Sequence, residues 1–175
     1  LSHNLRQGRW ILPTDDETGN MYDLIMDRLV KGGYERYEIS NFAKAGDKSR
    51  HNLVYWHYNP YLAFGAGATR FDGRTRENNP AYLAAYERGE APEIECLSPA
   101  VQREEMIFMN LRTVRGLSLL DYEARFGRSF AFDYGPQIEN LIHKGWAKWE
   151  DGHFCLTPLG MQYGNLAFEA FITTD

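Results

Sequence analysis

The chain has 175 residues, 43% of them hydrophobic and 25% charged, with a formal net charge of −5. No apolar run approaches the ~18 to 20 residues a membrane-spanning helix requires, so the composition describes a globular, water-soluble polypeptide of one or two domains. Acidic residues outnumber basic ones in both halves, 14 to 12 over 1–97 and 10 to 7 over 98–175, which argues against a nucleic-acid partner, and two cysteines without a signal-like opening point to a reducing cytoplasm.

In chain order, the first predicted element is a helix. Thr14 caps it with Glu17 three residues on, and Asp15 and Asp16 suit its positive dipole end. Met21, Leu24, Ile25 and Leu29 recur at helical spacing, which predicts an inward face. Gly32-Gly33 stops the helix, and the alternation over Tyr34 to Ser40 predicts a strand. One such step cannot close a sheet, so the strand is expected to sit beside others outside this chain.

Residues 41–80 read as an irregular stretch dense in aromatics and glycine. Gly65-Ala66-Gly67 lacks the third glycine of a dinucleotide fingerprint and is read as a strand end where the backbone approaches closely. Ser98-Pro99 then opens a helix carrying Val101, Ile107, Phe108 and Leu111. Ser118 caps a short helix closed by Gly127, with Leu117 stapled to Tyr122. A third helix runs from about Tyr134 to Lys144 with Ile138, Leu141 and Ile142 inward. Asp151-Gly152 is a hairpin turn that sets Trp149 opposite Phe154 and Ala147 opposite Leu156, which predicts an apolar face with Trp149 and Phe154 buried together. Thr157-Pro158 starts a closing helix to about Ile172. Three helices, a hairpin and a closing helix make a winged-helix-like arrangement. Its candidate recognition helix offers only Gln137, Asn140, His143 and Lys144 beside Glu139, so a packing lid fits better than a DNA-binding module.

Tyr37-Glu38-Ile39-Ser40-Asn41-Phe42-Ala43 is followed by Ser49-Arg50-His51-Asn52-Leu53-Val54-Tyr55-Trp56, then by Phe64-Gly65-Ala66-Gly67-Ala68 and Leu156-Thr157-Pro158-Leu159-Gly160. In this order, from about Leu12 to Phe171, the chain resembles the HemW-type radical S-adenosylmethionine heme chaperones, relatives of oxygen-independent coproporphyrinogen III oxidase. The resemblance implies an α/β plus α+β chain. Residues 1–80 would be the end of a partial (β/α)6 radical S-adenosylmethionine barrel carrying the H-N-x-x-Y-W segment. Residues 81–97 would be a linker, and 98–175 the HemN-type winged-helix-like C-terminal domain. Start at Leu1 fits a truncated or processed product. The family's [4Fe-4S] cluster sits on a C-x3-C-x2-C motif; Cys96 and Cys155, 59 positions apart, cannot supply it, so the cluster and S-adenosylmethionine are expected in the full-length protein only and the chain alone is expected to be inactive.

The resemblance assigns heme binding to the H-N-x-x-Y-W block. His51 would be the ligand to heme iron, with Asn52, Tyr55 and Trp56 around it. His57 is the competing ligand, and a hydrogen-bonding histidine in a polar loop is the ordinary alternative for His51. Phe42 and Ala43, just past the predicted strand, would edge the S-adenosylmethionine pocket, or serve as loop packing. No catalytic residue is expected within the chain. Thr69-Arg70 stands where many members carry His-Ser, and Ala45 where proline is common. The function expected is binding heme or porphyrin and transferring heme to an acceptor protein. The alternatives are a coproporphyrinogen oxidase and a non-catalytic winged-helix binding module.

Overall fold

A computed structural model describes residues 7, 8 and 10–172. Helix α1, Asp15–Lys31, begins on the predicted capping box. The Glu17 amide donates to Thr14 Oγ1 at 3.2 Å, and the Thr14 amide donates to the Glu17 carboxylate at 2.8 Å, so two of the orphan donors at a helix start are satisfied reciprocally. Its apolar stripe is not inward as expected. No α1 residue is buried, and Met21, Leu24 and Ile25 lie about half exposed.

The strand expected over Tyr34 to Ser40 is shorter than its alternation suggested. Strand β1, Glu35–Arg36, pairs antiparallel with β2, Phe42–Ala43. The Arg36 guanidinium donates to the carbonyls of Glu38 and Ile39 at 3.1 and 2.7 Å, and the Ser40 amide donates to the Glu38 carboxylate at 2.9 Å. These local bonds bend the chain back on itself and end the extended run. Glu38, almost wholly buried, forms a single β-bridge to Thr113.

The stretch read as irregular contains regular structure. Ser49 caps helix α2, Arg50–Trp56, and the chain reverses after it at Tyr58, whose φ of 55° is in the left-handed region. Strands β3, Thr69–Phe71, and β4, Thr75–Asn78, form a hairpin. Helix α3, Leu83–Glu87, leads to β5, Glu93–Cys96, which pairs with β4 and completes a β3-β4-β5 sheet. Residues 81–97, expected as a linker, therefore supply a helix and an edge strand. Strands such as Thr75-Arg76-Glu77-Asn78 have no apolar alternation, so their pairing left no period-2 trace in the sequence.

Helix α4, Pro99–Leu111, starts at the Ser98 cap. Strand β6, Leu117–Ser118, leads into α5, Leu119–Phe126, which ends at Gly127 in the left-handed conformation. Helix α6, Phe130–His143, starts four residues before the expected Tyr134, on a Ser129 cap, and is non-helical at Tyr134, two residues before Pro136. Ile142, expected inward, is partly exposed, whereas Ile138 and Leu141 are buried. Strands β7, Ala147–Glu150, and β8, His153–Leu156, pair in the derived register, Trp149 with Phe154 and Ala147 with Leu156. Phe154 is fully buried, but Trp149 is 45% exposed, because β7 is an outer strand in the order β6-β8-β7. The closing helix is two pieces, α7, Pro158–Gln162, and α8, Gly164–Glu169, broken at Tyr163.

One continuous core joins the halves. Ile107, Leu111, Leu117, Tyr122, Phe130 and Phe154 are at its centre, and Tyr58 and Phe71 from the first half belong to the same cluster. That junction fixes α2 against α4 and so positions the candidate site.

Candidate functional site

Helix α2 presents two faces. His51 and Tyr55, four apart, lie one above the other, as helical geometry dictates. Their rings are 5.0 Å apart, edge to face, and His51 is exposed. Tyr55 packs on Tyr61 at 4.6 Å, and Tyr61 lies 5.9 Å from Phe71, so an aromatic row runs from His51 to β3. Burial, and next Tyr55, push the Tyr61 phenol above its usual range.

Asn52 and Trp56 occupy the next face; Trp56 sits about 140° around the helix from His51. Asn52 is half-buried, and its amide donates to the capping Ser49 Oγ at 3.3 Å. The Trp56 ring lies under the Arg112 guanidinium at 4.7 Å, and the indole N–H is buried without a partner among the described residues. Arg112 also lies over Phe108 at 5.6 Å. This cation–π stack clamps α2 to the end of α4. The structure thus brings His51 and Tyr55 together on an open face and commits Trp56, which the resemblance grouped around His51, to packing against Arg112. His51 is helical, not in a polar loop. Phe42 and Ala43 lie in β2 itself, Phe42 half-buried and Ala43 buried, and no ring contact or side-chain hydrogen bond among the described residues links them to α2.

A polar cluster behind the site had no signature in the sequence, because its members are far apart in the chain. The Tyr58 hydroxyl donates to Glu105 Oε2 at 2.9 Å, and Arg76 pairs with Glu105 Oε1 at 2.6 Å and with Glu95 at 3.3 Å. Burial first, then the charge and hydrogen bond of Glu105, hold the Tyr58 phenol well above its ordinary range. Arg125 lies over the Tyr58 ring at 4.8 Å and donates to the Gly73 carbonyl. His57, on the far side of α2, borders a cavity of about 470 Å³ with Asn110 and Asp121. Partial burial and then Arg115 lower its pKa, with His153 adding to the effect and Asp121 opposing it.

The cysteines do not suit an iron–sulfur cluster. Cys96 is exposed on β5, and Cys155 is buried on β8, where its thiol donates to the Arg115 carbonyl at 2.9 Å and is pushed up by burial. Among the described residues no group of three or more His, Cys, Asp or Glu is placed to hold a metal ion. Also among them, no helix is long and apolar enough to cross a membrane. An exposed imidazole with an aromatic edge beside it does fit an axial ligand for a flat, metal-centred ring.

Residues 97–163 match the HemN C-terminal domain family. The chain is 36% identical over 174 residues to the heme chaperone HemW of Lactococcus lactis, covering 97% of this chain and 46% of that protein. It is 35% identical over 177 residues to the heme chaperone HemW of Bacillus subtilis, covering 97% and 47%. It spans about half the length of these relatives. The solved structure described as coproporphyrinogen III oxidase (HemN) from Escherichia coli, a radical SAM enzyme, matches with a TM-score of 0.69 at 16% identity over 93% of this chain and 42% of that one, a likeness of fold. By the domain it carries and the relatives it aligns with, the chain is a C-terminal HemW-type portion with a HemN C-terminal domain at residues 97–163.

Proposed function

We propose that this chain is the heme-facing part of a heme chaperone, and that the full-length protein binds heme and passes it to an acceptor protein. The observation that carries the reading is the exposed His51 imidazole, held on α2 and edge-on to Tyr55 at 5.0 Å. In this reading His51 ligates heme iron, Tyr55 lies against the macrocycle, and Asn52 and Trp56 orient α2 rather than touch the ligand's face. The name shared by the relatives, heme chaperone, supports the same ligand. The [4Fe-4S] cluster and S-adenosylmethionine belong to the full-length protein, because three closely spaced thiolates must come from outside these residues. Phe42 and Ala43 edge the S-adenosylmethionine pocket; Phe42 is the one with accessible surface.

The same proposal divides the chain. Residues 1–80 end a radical S-adenosylmethionine barrel, 98–175 form a winged-helix-like domain, and 81–97 join the two. The half-exposed stripe of Met21, Leu24 and Ile25 supports the first part, since a barrel helix without its neighbouring strands would show such a face. Helices α4 to α6 with the β7-β8 hairpin support the second.

The test is a hemin titration of the full-length protein followed by absorbance. His51→Ala is expected to weaken binding and shift the Soret band, because an axial bond is directional, and His57→Ala is expected to do much less. An unchanged band and affinity in His51→Ala would return α2 to a purely structural role.

A further inference from the structure

Beside α2, Tyr61 and Phe71 exchange backbone hydrogen bonds of 2.8 and 3.0 Å, which pin the segment after α2 to β3. A cleft of about 380 Å³ opens there, lined by Pro60, Tyr61, Leu62, Arg70, Phe71 and Asp72. Its walls are mainly apolar, and Leu62 is 71% exposed, so apolar surface faces water at its mouth. The cleft is too small to enclose a large ring system and of a size to take one edge of it.

Arg70 is the cation of this cleft, with 44% of its side-chain surface exposed. It pairs through one guanidinium nitrogen with Glu77, its cross-strand partner in the β3–β4 register. The guanidinium has donors on more than one edge, so that pairing leaves others for a second carboxylate. Asp72, also on the cleft, is bound mainly elsewhere: its Oδ1 accepts the amides of Arg74 and Thr75 at 2.8 and 2.7 Å, and these bonds first, with the nearby Arg70 charge adding to them, hold its carboxyl below the usual range.

A row of ring contacts links the cleft to His51: the His51 and Tyr55 centroids lie 5.0 Å apart, those of Tyr55 and Tyr61 4.6 Å, and Tyr61 lines the cleft. A ligand that uses this whole surface is flat and apolar in its body, bears a metal that imidazole can ligate, and carries a carboxylate at its edge. We infer that the cleft takes the propionate-bearing edge of heme and that Arg70 pairs with a propionate, which makes Arg70 a specificity-determining residue for carboxylated tetrapyrroles. The inference rests on the heme reading and adds the ligand's orientation to it.

The experiment compares hemin with hemin dimethyl ester, which lacks free carboxylates, on the full-length protein. Arg70→Gln is expected to weaken hemin binding about fivefold, the scale of an exposed charge pair, while leaving the diester's affinity and the hemin Soret position unchanged. Glu77→Gln, which releases Arg70 from its partner, is expected to strengthen hemin binding and not the diester. Leu62→Glu is expected to weaken both. If Arg70→Gln and Glu77→Gln both keep the wild-type ratio of hemin to diester affinity, the Arg70 assignment is overturned, and a Soret band that still depends on His51 would leave the heme reading standing. If the unaltered protein shows no His51-dependent hemin spectrum, both fall together.

Discussion

Gly160 backs directly onto the carbonyl of Trp146. A Cβ added at Gly160 would meet the Trp146 carbonyl carbon at 2.7 Å and its Cα at 3.0 Å, and that same carbonyl oxygen accepts the Thr157 amide at 2.9 Å. The first turn of α7 is therefore seated on the start of the β7 strand with no room for a side chain. The stacked rings of Trp146 and Tyr163, 5.0 Å apart and 13° from parallel, close the other side of the contact.

Gly160→Ala is expected to destabilise the chain by about 1 to 3 kcal/mol, since the clash is with backbone and cannot be relieved by a rotamer change. Thermal unfolding of this variant beside Gly135→Ala, whose added Cβ meets nothing within 4 Å, separates close approach from a general effect of alanine. Equal melting temperatures would remove the seating argument.

Tyr122 is fully buried, and its hydroxyl donates to Asp133 Oδ2 at 2.8 Å, while Arg128 pairs with Asp133 Oδ1 at 2.9 Å. Burial, followed by the Asp133 hydrogen bond and charge, holds this phenol far above its usual range. Tyr122→Phe keeps the ring packing and leaves one Asp133 oxygen without its donor, a loss of about 1 to 3 kcal/mol. Denaturant unfolding checks it; a variant as stable as the parent would mean that water reaches Asp133 freely.

His57 gives stability a dependence on acid. Its folded pKa is lowered from 6.5, so the unfolded chain binds the proton more readily. The contribution is complete above the unfolded value and is lost as pH falls from there through the lower folded value. His57→Gln is expected to flatten this part of the profile between about pH 7.5 and about pH 5, bracketing the ordinary imidazole range. Parallel pH profiles for parent and variant would show that His57 carries no such linkage.

Trp149 touches Phe154 at 4.9 Å and the edge of Phe130 at 6.4 Å, yet is 45% exposed. Trp149→Ala is expected to cost about 1 to 2 kcal/mol, the scale of a cross-strand aromatic pair with partial burial, rather than the ~3 to 5 kcal/mol of a fully buried ring. Phe154→Ala, fully buried, belongs to the larger class. A reversed ranking by chemical denaturation would contradict the sheet order.

The features legible in the sequence were those enforced within a turn or two of chain. The Thr14–Glu17 capping box, the Ser98-Pro99 and Ser118 helix starts, the Gly127 stop and the Asp151-Gly152 hairpin each act through hydrogen bonds or backbone angles a few residues apart. The hairpin register follows from turn length alone. His51 and Tyr55 sharing a face also follows once α2 is helical, because it depends only on helical pitch.

Tertiary structure decided whatever rests on surfaces meeting across long separations. A period-3.6 stripe marks apolar residues but not their cover, so Met21, Leu24 and Ile25 could look inward in sequence and stand half exposed in the fold. Strands β3 to β5 are held by backbone bonds between polar residues, which leave no apolar pattern to read. The capture of Trp56 by Arg112, the Tyr58–Glu105 bond across 47 positions and the cleft joining Tyr61 to Arg70 arise only when α2 docks on α4 and β3 folds back beside it. The Ser49 cap that starts α2 is local chemistry too, although the stretch read as irregular in sequence; packing determined which neighbours of His51 remain free to meet a ligand.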